Sequence, residues 1–221
     1  MGSDQPETRG VVLAGGRGSR LGGAKATADL AGKPLIAYSL AALTAVGLAP
    51  FIVAKPDSHL GGRPNPRPPD RGRPNPRYRW PGTTALKGSE GVEIVTEPTE
   101  PTHPLAGIVA ALRHTGRPLV VLGCDFPFVP PALLLYLAAA LEPLVVPAPG
   151  GGAQPLVARW SPVLLPDLEA TLARQEPLRR TVASLSPRLL DDAELAPFGD
   201  PARTFFNVNT PADLRAAADL L

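Results

Sequence analysis

The stretch Val11–Lys25 reads VVLAGGRGSRLGGAK, an apolar strand that breaks into glycine and arginine and closes on a lysine. Gly15, Gly16, Gly18, Gly22 and Gly23 let the backbone turn sharply and bring bare N–H groups close to a ligand. Arg17, Arg20 and Lys25 add positive charge, and no acid falls between Val11 and Ala28. Such a loop suits a polyphosphate. It is not a Walker A loop, because counting from Gly18 the residue after Gly23 is Ala24 and Lys25 falls one place late. It is not the dinucleotide fingerprint either, since a motif starting at Gly16 needs glycine where Leu21 stands. At Gly15 a positive φ is expected, with phosphate occupying the space a side chain would fill.

Around this loop, strand-like and helix-like segments alternate. Val11–Ala14, Phe51–Ala54, Val92–Val95, Leu119–Leu122 and Leu144–Val146 are short, apolar and β-rich, as strands buried on both faces are. Helical patterns cover Pro34–Val46, Leu105–Arg113, Pro130–Leu141, Pro162–Arg174 and Pro211–Leu221, most of them opening with proline near the first turn. Thr210 is placed to cap the last. The alternation predicts an α/β fold with a mostly parallel sheet and helices on both sides. Ligands of such sheets sit at the carboxyl ends of the strands. The glycine loop and Cys124-Asp125 both follow strands, so they should face one crevice.

With 221 residues, 44% of them apolar, the chain has enough material for a sizeable core and is expected to form one domain over 1–221. Its longest apolar run, Ala132–Leu141, is about half of the roughly 20 residues a membrane span needs. The amino-terminal MGSDQPETRG is polar and carries acids, unlike a signal or transit peptide. One cysteine excludes an internal disulfide and fits a reducing compartment, so a cytoplasmic setting is expected. The pI of about 8.9 comes from one place. Residues 61–81 hold six arginines and one acid, a net of +5, which leaves −3 for the rest of a chain whose net charge is +2. That distribution, with no reading motif, argues against a nucleic-acid module. The surrounding segment, about 56–82, holds eight prolines and two copies of GRPNPR, and is expected to be an extended, mobile surface loop.

Several residues could carry chemistry. Asp125 ends the apolar strand PLVVLGCD, where a carboxylate needs a cation, and magnesium held by one or two carboxylates plus substrate phosphates is the usual arrangement. Lys25 can neutralise phosphate as a point charge, and Arg20 can clamp it and favour a pyrophosphate leaving group. Asn207 and Asn209 flank Val208. On a strand both amides would point one way; alternatively one caps the following helix and the other closes a turn. Cys124 reads as a small buried thiol. His59, His103 and His114 lack ligand spacing.

LAGGRGSRLGGAK resembles the signature of the nucleotidyltransferases that share a Rossmann-like fold. HPLAGI at 103–108, CDFPFVPP at 124–131 and FFNVNTPADL at 205–214 make the chain most similar to the molybdenum cofactor guanylyltransferases. The likeness runs from about Val11 to Leu221, leaving out the Pro/Arg-rich segment. It implies a three-layer Rossmann-like nucleotidyltransferase that transfers GMP from GTP to molybdenum cofactor, with Mg²⁺ as cofactor and cofactor-accepting molybdoenzymes as partners. Leu13, Ala14, Gly15, Gly16, Gly18, Lys25, Glu97 and Asp125 would bind nucleotide, with Arg20, Lys25 and Asp125 catalytic and Asp125 the metal ligand. Gln154, Arg179, Arg180, Asn207 and Asn209 would meet the acceptor, although a paired arginine also suits a solvated helix face. Two positions depart from the family. Its third-strand aspartate falls on Thr96 or Glu97, and its asparagine after the second strand is replaced within Ala54-Lys55-Pro56-Asp57. A nucleotidyltransferase using CTP or a sugar phosphate would keep the glycine loop but lack HPLAGI and NVNTP. A non-catalytic nucleotide-binding protein would lack a working metal carboxylate.

Overall fold

The computed structural model describes residues 8–16, 25–56, 58, 60 and 91–221. Gly18, Arg20 and His59 therefore lie outside the described residues, as does the Pro/Arg-rich segment apart from Pro56, Ser58 and Leu60.

The centre of the molecule is a seven-stranded sheet. Its strands are β1 (Arg9–Leu13), β4 (Phe51–Ala54), β5 (Ile94–Thr96), β6 (Leu119–Gly123), β7 (Leu144–Pro147), β8 (Val157–Trp160) and β9 (Arg188–Leu190), in spatial order β5-β4-β1-β6-β8-β7-β9. All pairings are parallel except those of β8, which runs antiparallel to both β6 and β7. A two-residue-per-strand hairpin, β2 (Asp29–Leu30) with β3 (Lys33–Pro34), stands apart and turns through Ala31 and Gly32 at positive φ.

The expected mostly parallel α/β sheet is present. β5 begins two residues later than the apolar run suggested, because the ladder with β4 starts where Ile52 meets Ile94. Arg159 interrupts the apolar run of β8, β9 opens on Arg188, and the hairpin strands are two residues each, so none of them reads as a continuous apolar strand.

Successive residues of each strand enter opposite layers. Val12, Ile52, Val120 and Leu122 face one side and pack on α1 (Leu35–Ala45) and α3 (Pro131–Ala139). Val11, Phe51, Val53, Leu119 and Val121 face the other and pack on α2 (Pro104–Thr115) and α4 (Leu165–Ala173), with α5 (Leu178–Ser184) beyond. Apolar residues at consecutive positions therefore serve both layers, which is why these strands read as unbroken hydrophobic runs.

The helix expected over Pro162–Arg174 divides into a 3-10 turn at Pro162–Leu164 and α4. Pro166 stands at the start of α4, where its missing N–H leaves no hydrogen bond unmade. Two short helices, α6 (Asp192–Leu195) and α7 (Pro201–Thr204), lead towards the last helix.

That helix, α8 (Pro211–Asp219), opens on the expected cap. Thr210 accepts from the Asp213 N–H, and the Asp213 carboxylate accepts from the N–H groups of Asn209 and Thr210. A small third cluster of Leu30, Leu35, Val208 and Ala217 ties the hairpin to the carboxyl-terminal segment. No helix among the described residues is long and apolar enough to cross a membrane.

Trp160 is fully buried at the end of β8, and its indole N–H donates to Pro155 O at 3.1 Å. Trp160→Ala removes that volume from the second layer. It should lower unfolding free energy by about 3–5 kcal/mol in a denaturant titration.

Candidate nucleotide site

β1 is the point where the chain changes direction across the sheet: β4 and β5 lie to one side of it and β6 to the other. Ligand crevices in doubly wound sheets open at such points, beyond the carboxyl ends of the strands. A cleft of about 170 Å³ opens here, lined by Leu13, Gly15 and Gly16 after β1, Val53 and Lys55 at β4, Glu97 after β5, and Gly123, Cys124 and Asp125 at the end of β6. The first turn of α2 closes it through Thr102, His103, Pro104 and Gly107. His103 caps that helix, its Nδ1 accepting from the Leu105 N–H at 3.1 Å.

On one wall, Lys25 Nζ lies 2.9 Å from Asp125 Oδ2 and donates to Asn209 Oδ1 at 2.6 Å. Asn209 Nδ2 in turn donates to Asn207 Oδ1 at 2.7 Å. The lysine and aspartate side chains are each only 13% exposed, so the pair is largely shielded from solvent. Its parts arrive from four places. Lys25 begins a 3-10 turn, Lys25–Thr27, just before the hairpin. Asp125 follows β6, where a side chain at Gly123 would overlap its Oδ1. Asn209 is held by the cap of α8. Asn207 precedes Val208, whose N–H donates to Asp125 O at 3.0 Å. Residues 206–209 form no strand, because this backbone bonds to the Asp125 turn instead of to a sheet neighbour. The two asparagines are nonetheless joined, through their amides rather than through a shared sheet face.

On the other wall, Glu97 is buried at 5% exposure, and Lys55 Nζ lies 3.5 Å from its Oε1. Of the two candidates for the acidic position, Glu97 enters the cleft and Thr96 is exposed at the end of β5. Burial pushes the Glu97 carboxyl above its ordinary pKa, and the neighbouring Lys55 ammonium opposes that shift.

The expectation for Gly15 is corrected here. Its φ does not lie in the left-handed region, and what a side chain would strike is Glu97 Oε1. A Cβ at Gly107 would come within 2.8 Å of Glu97 Oε2. Two glycines therefore make the slot in which this carboxylate sits.

The remaining candidates lie away from these walls. Ala14 is buried beside the cleft, its N–H donating to Val53 O. Gln154 is half-buried, and its amide donates to Gly152 O. Arg179 and Arg180 are exposed on α5, as on a solvated helix face, and are not brought to the cleft. Cys124 is a buried thiol as expected; burial, with Asp125 beside it, raises its pKa to about 12. Sequence reasoning missed Lys55, Thr102 and Gly107 as lining residues, and it missed the capping role of His103. His103 and Gly107 were visible in HPLAGI, but only the folded chain shows what they face.

Asp125 is paired through Oδ2 with the Lys25 ammonium at 2.9 Å. No group of three or more His, Cys, Asp or Glu among the described residues forms a protein cage. One carboxylate supplemented by substrate phosphates is the donor set magnesium commonly accepts, so Asp125 fits that ion.

Residues 10–189 match the family model of the MobA-like NTP transferase domain. Over 96% of its length the chain is 34% identical to the molybdenum cofactor guanylyltransferase of Rhodobacter capsulatus, covering 95% of that protein. It is 31% identical to the protein of that name from Rhizobium johnstonii, over 96% of this chain and 91% of the relative. Among solved structures it is similar in fold to molybdopterin-guanine dinucleotide biosynthesis protein A from Archaeoglobus fulgidus, with a TM-score of 0.74 at 24% identity, covering 96% of this chain and 98% of that one. With a family model matched over residues 10–189 and a relative 34% identical over nearly the whole chain, the chain belongs to the MobA-like NTP transferase family.

Proposed function

We propose that this protein transfers GMP from GTP to the terminal phosphate of a molybdopterin-type cofactor and releases pyrophosphate, with Mg²⁺ as the metal. The observation that carries the reading is the Lys25–Asp125–Asn209 junction on the wall of a cleft floored by Gly15 and Gly16. It joins a phosphate-neutralising cation, a metal-competent carboxylate and a polar amide at one strand edge. The names of the Rhodobacter and Rhizobium relatives support guanine as the donor base and molybdenum cofactor as the acceptor.

In this reading Leu13, Ala14, Gly15 and Gly16 lay their backbone along the nucleotide, and Gly18 and Arg20 extend the contact. Glu97 meets the base side of the cleft. Lys25 is the fixed positive charge against which the leaving pyrophosphate develops its negative charge. Asp125 holds the magnesium, which when bound neutralises phosphate oxygens at the reacting centre. An acceptor phosphate oxygen bonds to the α-phosphorus as the bond to the β-phosphate oxygen breaks. No general base is required, because a phosphate monoester has a second pKa of about 6 and is already an anion at neutral pH. Rate then comes from alignment and charge stabilisation. Asn207 and Asn209 orient the acceptor beside Lys25, with Gln154 offered from the loop before β8. The setting is cytoplasmic, and molybdoenzymes receive the product.

Pure protein incubated with Mg²⁺, molybdenum cofactor and each NTP in turn should release pyrophosphate with GTP. Release with CTP alone would replace the guanine assignment, and release with none would end the enzymatic reading. Asp125→Asn should cut magnesium-dependent turnover by about 100-fold or more, a loss of several kcal/mol of charge stabilisation. Lys25→Ala should weaken both nucleotide binding and rate, since it removes a contact that strengthens as the pyrophosphate leaves.

Gly15→Ala places a methyl group against a carboxylate pinned from both sides. We expect GTP binding to fall in a titration while stability drops by only about 1–3 kcal/mol in thermal unfolding. Normal GTP binding by this variant would mean that the Glu97 slot does not face the nucleotide.

A further inference from the structure

Lys55 stands at the end of β4 with its side chain 6% exposed, an uncommon place for a lysine. An ammonium has three N–H donors, and here each has a destination. Nζ donates to Pro98 O at 2.8 Å and to Thr99 O at 3.0 Å, and lies 3.5 Å from Glu97 Oε1. With its donors committed to the protein, Lys55 is not set to read a ligand itself. It fastens the backbone just after Glu97 and the carboxylate of Glu97 in one grip. Gly15 and Gly107 close on the two oxygens of that carboxylate from either side, so Glu97 has one position available. A carboxylate fixed in this way on a cleft wall accepts two parallel hydrogen bonds, and such paired contacts add specificity as well as strength.

From this geometry we infer that Lys55 is a positioning residue: it holds Glu97 in the one orientation that receives a base offering two adjacent N–H donors. Guanine offers such a pair, the ring N1–H and the exocyclic N2 amine. Hypoxanthine keeps the ring N–H and lacks the amine, and adenine presents an acceptor in place of the ring N–H. The inference rests on the reading that this cleft binds a nucleoside triphosphate and assigns its base discrimination to a lysine that does not touch the base.

Among the described residues, the other charged and titratable groups lining the same cleft are Lys25, His103 and Asp125, with Glu100 in the loop that follows. Lys55 is the cation in ion-pair range of the Glu97 carboxylate. Burial already raises the carboxyl pKa and Lys55 opposes the rise, so loss of Lys55 lets it climb further. A group whose folded pKa rises is protonated over a wider pH range. In a Lys55 variant, GTP binding should therefore weaken as pH falls through the raised value and recover as pH is increased.

The experiment compares GTP and ITP binding, with Mg²⁺ present, to the full chain and to Lys55→Met, Lys55→Arg and Glu97→Gln across pH 5.5–9. The native chain should prefer GTP by about 10- to 100-fold, the worth of a hydrogen bond to a charged group. Lys55→Met should lose most of that preference at the acid end of the range and regain part of it as pH rises, whereas Lys55→Arg should retain it. If Lys55→Met keeps both the native ratio and the native pH profile, Lys55 merely tethers a loop and the inference falls. Equal binding of GTP and ITP by the native chain sinks the inference while leaving the triphosphate site standing. Binding of neither overturns both. Should Lys55→Met fail to fold, Glu97→Gln keeps the volume and removes the charge. An unchanged GTP-to-ITP ratio in that variant overturns the inference as well.

Discussion

Two carboxylates, Glu97 and Asp125, stand at the ends of strands on opposite walls of one cleft, and each is within ion-pair range of a lysine from another part of the chain. Taking a carboxylate out of water without a cation is costly, and removing one member of a buried pair leaves the other uncompensated. These pairs therefore constrain much of what surrounds them. Lys55 can reach Glu97 only if β4 and β5 lie side by side, and their register sets Ala54 beside Thr96. Lys25 can reach Asp125 only if the chain after β1 returns to the end of β6 before entering the hairpin. The third contact of that lysine, to Asn209, calls on the far end of the sequence.

Parallel β5, β4, β1 and β6 bring four strand ends to one side, and the helices that cover the sheet leave that side open. The first turn of α2 supplies the remaining wall, and its partners follow from helix-end chemistry. Pro104 begins a helix without wasting an N–H, and His103 satisfies one of the unpaired donors behind it. At the other edge the capped start of α8 holds Asn209 in place. Helix termini thus position two of the polar groups around the cleft, beside the strand ends that position the others.

Much of this was legible in the chain. The strands VVL, FIVA and LVVLG are apolar at consecutive positions because both of their faces are covered, and that pattern marks a buried parallel sheet. The glycine turn and Asp125 declared themselves by following such strands. Pro211 with Thr210 declared a helix start by local chemistry alone. What stayed hidden depends on distance in sequence. Lys25 and Asn209 are far apart along the chain, and nothing near either announces the other. Gly15 read as a turn residue, yet its side-chain space is occupied by Glu97, the residue that follows β5. Lys55 and Glu97 looked like two unrelated departures from a family pattern until the fold set them against each other. The FFNVN segment left two readings open, a shared strand face or a cap and a turn; a sheet neighbour is needed to make a strand, and the Asp125 turn takes this backbone instead.

The reversed strand β8 divides the sheet into two parts that respond differently to a change in loop length. Everywhere else on the cleft side a loop leaves a strand, but beside β6 the loop around Gly152–Leu156 enters one. Lengthening that loop shifts neither β1 nor β6, whose ends are set by their own ladder, while β8 stays locked in register between β6 and β7. Insertions there can remodel one flank of the cleft and leave the glycine turn and its lysine untouched. An architecture with this asymmetry lets the flank beside β6 and β8 change length while the ladder of β1 with β4 and β6 keeps the other strand ends in place.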